Sequence, residues 1–272
     1  MSKTALAQKL SISRSSLYYQ PKKPPRDAVE KKQIEQVMHE HPAYGHRRIA
    51  LALKMNHKKA HRIMRHFGLR PAVRRKSRPT KLDDVHGIAS AITNKAKLIC
   101  PIRANVLWAG DFTYVWFAGR FWYIATVLDV YAREIVGWHI GNHHTAGLIT
   151  RAFTDAVQRT GKTPIWFHSD QGSEYVSGTY SDVLKSHGII ASHSTKSSPW
   201  QNGFQESFYS NFKLELGTVD RFYSIGQLIE AIYRQINYYN NRRIHTVLKM
   251  SPVQFRKLNE YKTAPAYAGA VR

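Results

Sequence analysis

The chain has 272 residues, room for one sizeable domain and one or two small ones, and a hydrophobic content of 43% excludes wholesale disorder. Its 41 Lys and Arg stand against 18 Asp and Glu, a formal net charge of +23 that attracts polyanions: nucleic acid, acidic membrane or acidic protein. The single cysteine, Cys100, excludes an intrachain disulfide and a cysteine-rich zinc site; no apolar run approaches the roughly 18 residues of a spanning helix, and the N-terminus lacks a signal peptide's apolar region, so a cytoplasmic protein without membrane contact is expected.

The charge is unevenly spread. Residues 1–82 hold 21 basic and 4 acidic residues, while residues 83–272 hold 20 and 14. A small basic module joined to a larger, nearly ordinary domain is a common layout in enzymes that act on nucleic acid.

In chain order, residues 1–20 read as a helix-turn-helix-like segment. Ala5, Leu6 and Leu10 make one apolar stripe, and Ser13 is placed to cap a second helix carrying Leu17. A short helical hairpin that touches no DNA fits the same pattern. Pro21, Pro24 and Pro25, with Lys22, Lys23 and Arg26 among them, read as a linker. A second helical module follows over 26–70. Val29, Ile34, Val37 and Met38 mark its first helix, Ile49, Ala50 and Leu53 its next, and Asn56 caps a third that ends at Gly68. That last helix buries Ala60, Ile63, Met64 and Phe67 and shows Lys58, Lys59, Arg62 and Arg65 on its other side, a basic face suited to DNA phosphates or simply to solvent. Residues 71–105 have no sustained period and read as a linker. It carries Arg74, Arg75 and Lys76, a run that would track along DNA.

The character changes at Val106. Segments 106–117, 121–131 and 133–140 are rich in Val, Ile, Trp, Tyr and Phe, with short turns between them, and predict an antiparallel meander. A helix over 145–160, a strand over 164–169, a helix near 179–187, a strand at 189–191 and helices over 200–216 and 225–240 follow. The chain order β-β-β-α-β-α-β-α-α is that of an RNase H-like α/β domain: a mixed five-stranded sheet with flanking helices. The core is set at 106–258 and a tail at 259–272.

Three carboxylates stand out in that frame. Asp111 sits within an apolar strand, where an acid is costly unless paired or bound to metal. Asp170 ends the fourth strand, the neighbour of the first in such a sheet. Glu206 lies on the helix that follows Pro199, and Asn202, Glu206, Ser210 and Lys213 share one face of it, opposite Phe204, Phe208, Phe212 and Leu216. Convergent carboxylates on rigid elements are what phosphodiester chemistry with hard divalent ions requires. Lys213, two turns past Glu206, is placed to hold a phosphate backbone. Rival constellations are weaker. His168, Ser169 and Asp170 are consecutive on a strand and cannot form a triad among themselves. Asp129, at a strand end before Arg133, reads as a turn or salt-bridge residue. His39, His41, His46, His57 and His61 invite a zinc site that lone Cys100 is too remote to complete.

The motifs WAGDFTYV (108–115), DVYAREIVGW (129–138), HSDQGSEY (168–175), SPWQNGFQESFYSNFKLE (198–215) and YYNNRRIHTVLKMSPVQF (238–255), in that order, resemble the catalytic reading frame of bacterial insertion-sequence transposases of the retroviral-integrase-like type that move through a copied-out circle. HPAYGHRRI (41–49) resembles the helical module upstream in the same proteins. The 35 residues between Asp170 and Glu206 match that family's DD(35)E spacing. The resemblance implies that Asp111, Asp170 and Glu206 hold two Mg²⁺ ions, with Mn²⁺ able to substitute. It implies cleavage at the 3′ end of an element and in-line attack of the freed 3′-OH on target DNA, with no covalent protein–DNA intermediate. Implied partners are the element's terminal repeats, target DNA, further copies of the chain, and the product of an upstream frame joined by frameshifting; the implied location is the nucleoid. Two departures stand out: Glu174 where the family more often has Gln, and Gln201-Asn202-Gly203 where many members have Asp-Asn-Ala.

Overall fold

A computed structural model describes residues 2–18, 23–72, 94, 96, 99–194 and 202–263. The chain divides into two compact units, residues 1–71 and 72–272. Among the described residues no helix is long and apolar enough to cross a membrane.

The first unit is helical. Helix α1 (Lys3–Lys9) is capped by Ser2, whose hydroxyl accepts from Ala5 N at 3.2 Å. Ser13 does act as a cap, accepting from Ser16 N at 3.3 Å, but the element it caps is a five-residue 3₁₀ turn, Arg14–Tyr18, and not an α-helix. Helix α2 (Lys23–Glu40) begins inside the segment read as a proline linker. Pro24 and Pro25 occupy its first turn, where a missing N–H removes no intrahelical bond. Helices α3 (His46–Ala52) and α4 (His57–His66) are joined by a turn with Lys54 at φ 51°, and Asn56 accepts from Lys58 N at 2.8 Å. Ile34, Ile49, Ala60 and Ile63 are fully buried between them, whereas Val29 faces solvent.

The second unit is built on one sheet. Strands β1 (Leu107–Phe117) and β2 (Arg120–Asp129) form a hairpin closed by two residues, Ala118 and Gly119, at φ 49° and 76°. Positive φ at both positions gives the turn whose twist matches the strands. Strand β3 (Glu134–Gly141) adds antiparallel to β2, with a register shift at Val127/Leu128. Helix α5 (Ala146–Thr160) leads to β4 (Trp166–Ser169), which lies parallel to β1 with Ala109 opposite His168. Helices α6 (Ser173–Val176) and α7 (Gly178–Ser186) precede β5 (Ile190–His193), parallel to β4, and the sheet order is β3-β2-β1-β4-β5. Helices α8 (Gly203–Leu216) and α9 (Ile225–Asn241) follow. This is the RNase H-like arrangement expected from the element order.

Alternation along β1 sorts two cores. Leu107, Ala109, Val115 and Phe117 pack with Phe208, Phe212 and Leu216 of α8 and Leu228, Ile232 and Ile236 of α9. Trp108 turns the other way, to Phe153 of α5 and to Phe167, Tyr180 and Leu184. Helix α5 lies so close to β3 that a Cβ on Gly137 would come within 2.4 Å of the Ala152 carbonyl. A last helix, α10 (Pro252–Thr263), runs across the expected end of the core at 258. Its Arg256 pairs with Glu134 of β3 at 2.6 Å and its Phe255 meets Tyr131, which ties it to the core.

Candidate active site

Asp111 lies in mid-strand on the α8 side of β1, beyond the stretch that pairs with β4; its Oδ1 accepts from Phe112 N at 2.8 Å. Asp170 follows the last residue of β4, and its Oδ1 accepts from Gly172 N at 3.0 Å. Glu206 is exposed on the first turn of α8. Burial, and then the charge of Asp170, push the Asp111 carboxyl up to about 8, with Glu206 adding to the effect. Asp170 is itself raised, by burial and by the charge of Glu174. The three acids therefore share one electrostatic neighbourhood. Among the described residues, however, no three His, Cys, Asp or Glu side chains are grouped so as to hold a metal ion. The donor chemistry still suits a hard divalent cation: a buried carboxyl raised by burial and by the charges of two neighbouring acids presents the oxygens such an ion would stabilise.

The position of α8 is set by a polar clamp that sequence reasoning misses. Gln205, fully buried, donates from Nε2 to the Ala109 carbonyl at 2.6 Å and accepts from the Thr126 hydroxyl at 3.1 Å. Tyr209 donates to the Asp111 carbonyl at 2.7 Å and shares a 2.8 Å hydrogen bond with Thr126. Gln205 precedes Glu206 directly and Ala109 lies two residues before Asp111, so the clamp joins the backbones that carry two of the carboxylates. A glutamine and a tyrosine four apart on an amphipathic helix carry no signature that would separate them from surface and core.

Other expected site residues divide. Asn202, expected on a DNA-facing surface, is buried, with its amide directed at the Gly110 carbonyl at 3.4 Å. Its place is beside the carboxylates, because the helix turns it inward at its N-terminal end. Lys213 lies with Nζ 5.0 Å from the centre of the Tyr114 ring. Phe204, expected in the core, is exposed beneath the Arg133 guanidinium, 3.8 Å from its ring centre. In the helical unit, Arg62 makes two bonds to Asp27 of α2, at 2.5 and 2.7 Å, and Lys59 pairs with Glu30. Lys58 and Arg65 are exposed with no ion pair among the described residues. Arg74, Arg75 and Lys76 lie outside the described residues. Asp129 has its expected turn role, accepting from Asn105 N at 2.7 Å and Ala132 N at 2.8 Å.

Two integrase core domain models match the chain, at residues 101–199 and 187–252. An Escherichia coli K12 protein named as the transposase of insertion sequence element IS150 is 30% identical over 263 residues, covering 92% of each chain. The transposase for insertion sequence element IS904 of Lactococcus lactis is 31% identical over 252 residues, covering 88% of this chain and 99% of the relative. Among solved structures, a chain of the simian T-cell lymphotropic virus intasome, in complex with a PP2A regulatory subunit, shares the fold with a TM-score of 0.51. The two are 14% identical, and the match covers 88% of this chain and 77% of that one.

Proposed function

Because the chain belongs to the integrase-like family of insertion-sequence transposases, we propose that it cuts and joins DNA at the ends of a mobile element, with Asp111, Asp170 and Glu206 as its catalytic carboxylates. The observation that carries this reading is the meeting of three elements at Asp111, whose strand is tied to the helix of Glu206 through Gln205 and whose carboxyl is raised by burial and by the charges of both Asp170 and Glu206. The carboxylates would hold Mg²⁺, two ions with Mn²⁺ able to substitute, and when bound the metal supplies Lewis-acid activation of the attacking and leaving oxygens.

The chain's own residues supply position. The Phe112 and Gly172 amides orient the two aspartates. Gln205 and Tyr209 fix the helix that presents Glu206. Lys213, on the same helix, draws the phosphate backbone of the DNA end toward the acids. Lys58 and Arg65 of the helical unit add phosphate contacts, and the run Arg74-Arg75-Lys76 continues them. Asn202 serves as a positioning residue for β1. Joining two ends calls for several copies of the chain on DNA, with an upstream-frame product as a further partner, in the cytoplasm at the nucleoid.

The test is a strand-transfer assay on a labelled element-end duplex with Mg²⁺ or Mn²⁺, wild type beside Glu206→Gln, with and without the upstream product. Cleavage and joining that both vanish in the variant are expected. Cleavage without joining by wild type would reassign the chain to the nucleases, and binding without cleavage under every condition would reassign it to DNA-binding regulators.

A further inference from the structure

On the sheet face opposite α8, the β1–β2 hairpin carries a set of aromatic rings that the core does not absorb. Phe112, Tyr114, Phe121 and Tyr123 line a cavity of about 330 Å³ together with His144 and Glu174. That volume lies at the small end of ligand pockets, about 300–1,000 Å³. Tyr114 is 52% and Phe121 44% exposed, which is costly for side chains of this size unless something covers them. Their rings meet edge to face at 5.2 Å, and Tyr123 lies 6.3 Å from Tyr114.

One polar pair stands against these rings. Glu174 is buried and bonds His144 Nδ1 at 2.5 Å, while the His144 ring is parallel to Phe112 and 5.0 Å from Tyr123. The cavity adjoins the acids closely. A Cβ on Gly172 would fall 2.9 Å from Glu174 Oε2 and 3.1 Å from Asp170 Oδ1, so the two carboxylates flank one backbone position. Phe112 follows Asp111 directly, and Lys213 stands over Tyr114.

We propose that this cavity takes one unstacked nucleobase of the DNA substrate beside the cleaved phosphodiester, stacked face-on against the exposed Tyr114 ring, bordered edge-on by Phe121 and Tyr123, and met at its edge by the His144–Glu174 pair. The proposal rests on the DNA-joining reading and adds a subsite to it. Aromatic faces stack on any base, a carboxylate or imidazole meets a base's amino or ring nitrogen, and lysine holds the adjoining phosphate. A cationic side chain from another protein is the other guest that aromatic rings and a carboxylate attract. Here it would face Lys213, and the Glu174 charge is already engaged by His144.

The experiment replaces each nucleotide near the cleavage point by an abasic residue, one at a time, and measures affinity for the full chain, wild type and Tyr114→Ala or Phe121→Ala. Both rings are exposed, and leucine at the same positions provides a second pair should alanine perturb folding. At one position the abasic change is expected to weaken wild type about tenfold and to leave the variants, already weakened, unchanged. Losses that multiply at every position would overturn the proposal. So would variants that bind DNA as wild type does but sediment at a different mass, since the rings would then cover a protein contact. Wild type that binds no DNA end, with the upstream product present as well as without it, would retire the DNA-joining reading itself, a result distinct from either.

Discussion

The Gln205 amide donates to the Ala109 carbonyl at 2.6 Å, which ties the helix carrying Glu206 to the strand carrying Asp111. In Gln205→Met the Thr126 hydroxyl and the Ala109 carbonyl each lose a buried partner. The expected cost in stability is about 1–3 kcal/mol, read from urea unfolding. Cleavage should fall at least about tenfold, since displacement of a catalytic group by a fraction of its own length is felt steeply in rate. DNA affinity, to which the cations of the helical unit also contribute, should fall less than cleavage. Unchanged cleavage would show that the clamp serves stability alone.

A second buried link holds the other end of α8. Arg243, almost fully buried, bonds Glu215 at 2.7 Å and Asn211 at 2.6 Å, and Gln235 donates to the same glutamate at 2.7 Å. Arg243→Ala leaves a buried carboxylate unpaired and is expected to cost about 3–5 kcal/mol. Changing Arg243 and Glu215 together to Met should recover a large part of that loss. A single variant that melts like wild type would contradict this account of the pair.

Much of this architecture is readable from residue order, and the exceptions share a cause. Runs of β-branched and aromatic residues broken by short turns locate β1, β2 and β3, and Asp111 is conspicuous because an acid is costly in an apolar strand, while Asp170 and Glu206 stand out by their places at a strand end and on a helix in the same frame. Pro24 and Pro25 read as breakers because their effect depends on whether they fall in a helix's first turn or its interior. Helix α10 is hidden because what docks it, the Arg256–Glu134 ion pair and the Phe255–Tyr131 contact, joins residues more than a hundred positions apart in sequence. The pairing of Lys59 with Glu30 and Arg62 with Asp27, and the inward turn of Asn202, are likewise tertiary facts. Local pattern cannot say which cations of a basic face already have partners.

The Asp27–Arg62 pair gives the helical unit an acid limit. The guanidinium holds the Asp27 carboxyl below its ordinary value of 3.8. A carboxylate depressed on folding adds stability above its unfolded pKa and loses it as pH falls through the folded one. Protection of α2 and α4 amides in hydrogen exchange on the full chain should therefore be steady above pH about 4 and fall below it. Asp27→Asn should lower protection at neutral pH and flatten the acid dependence. A variant with the wild-type acid profile would mean that other groups set this limit.

The same ion pairs separate the cations of α4 by role. Lys58 and Arg65 are exposed without an acidic partner among the described residues, whereas Lys59 and Arg62 hold α4 to α2. A cation that neutralises a phosphate releases a counterion, so Lys58→Ala and Arg65→Ala should each weaken binding to any DNA sequence and reduce the slope of log affinity against log salt by about 1. Arg62→Ala should act chiefly by loosening the unit, with a lower melting temperature and a salt slope that changes less. Equal slopes for all the variants would mean that the ion-paired cations reach phosphate as well, by exchanging Asp27 or Glu30 for DNA.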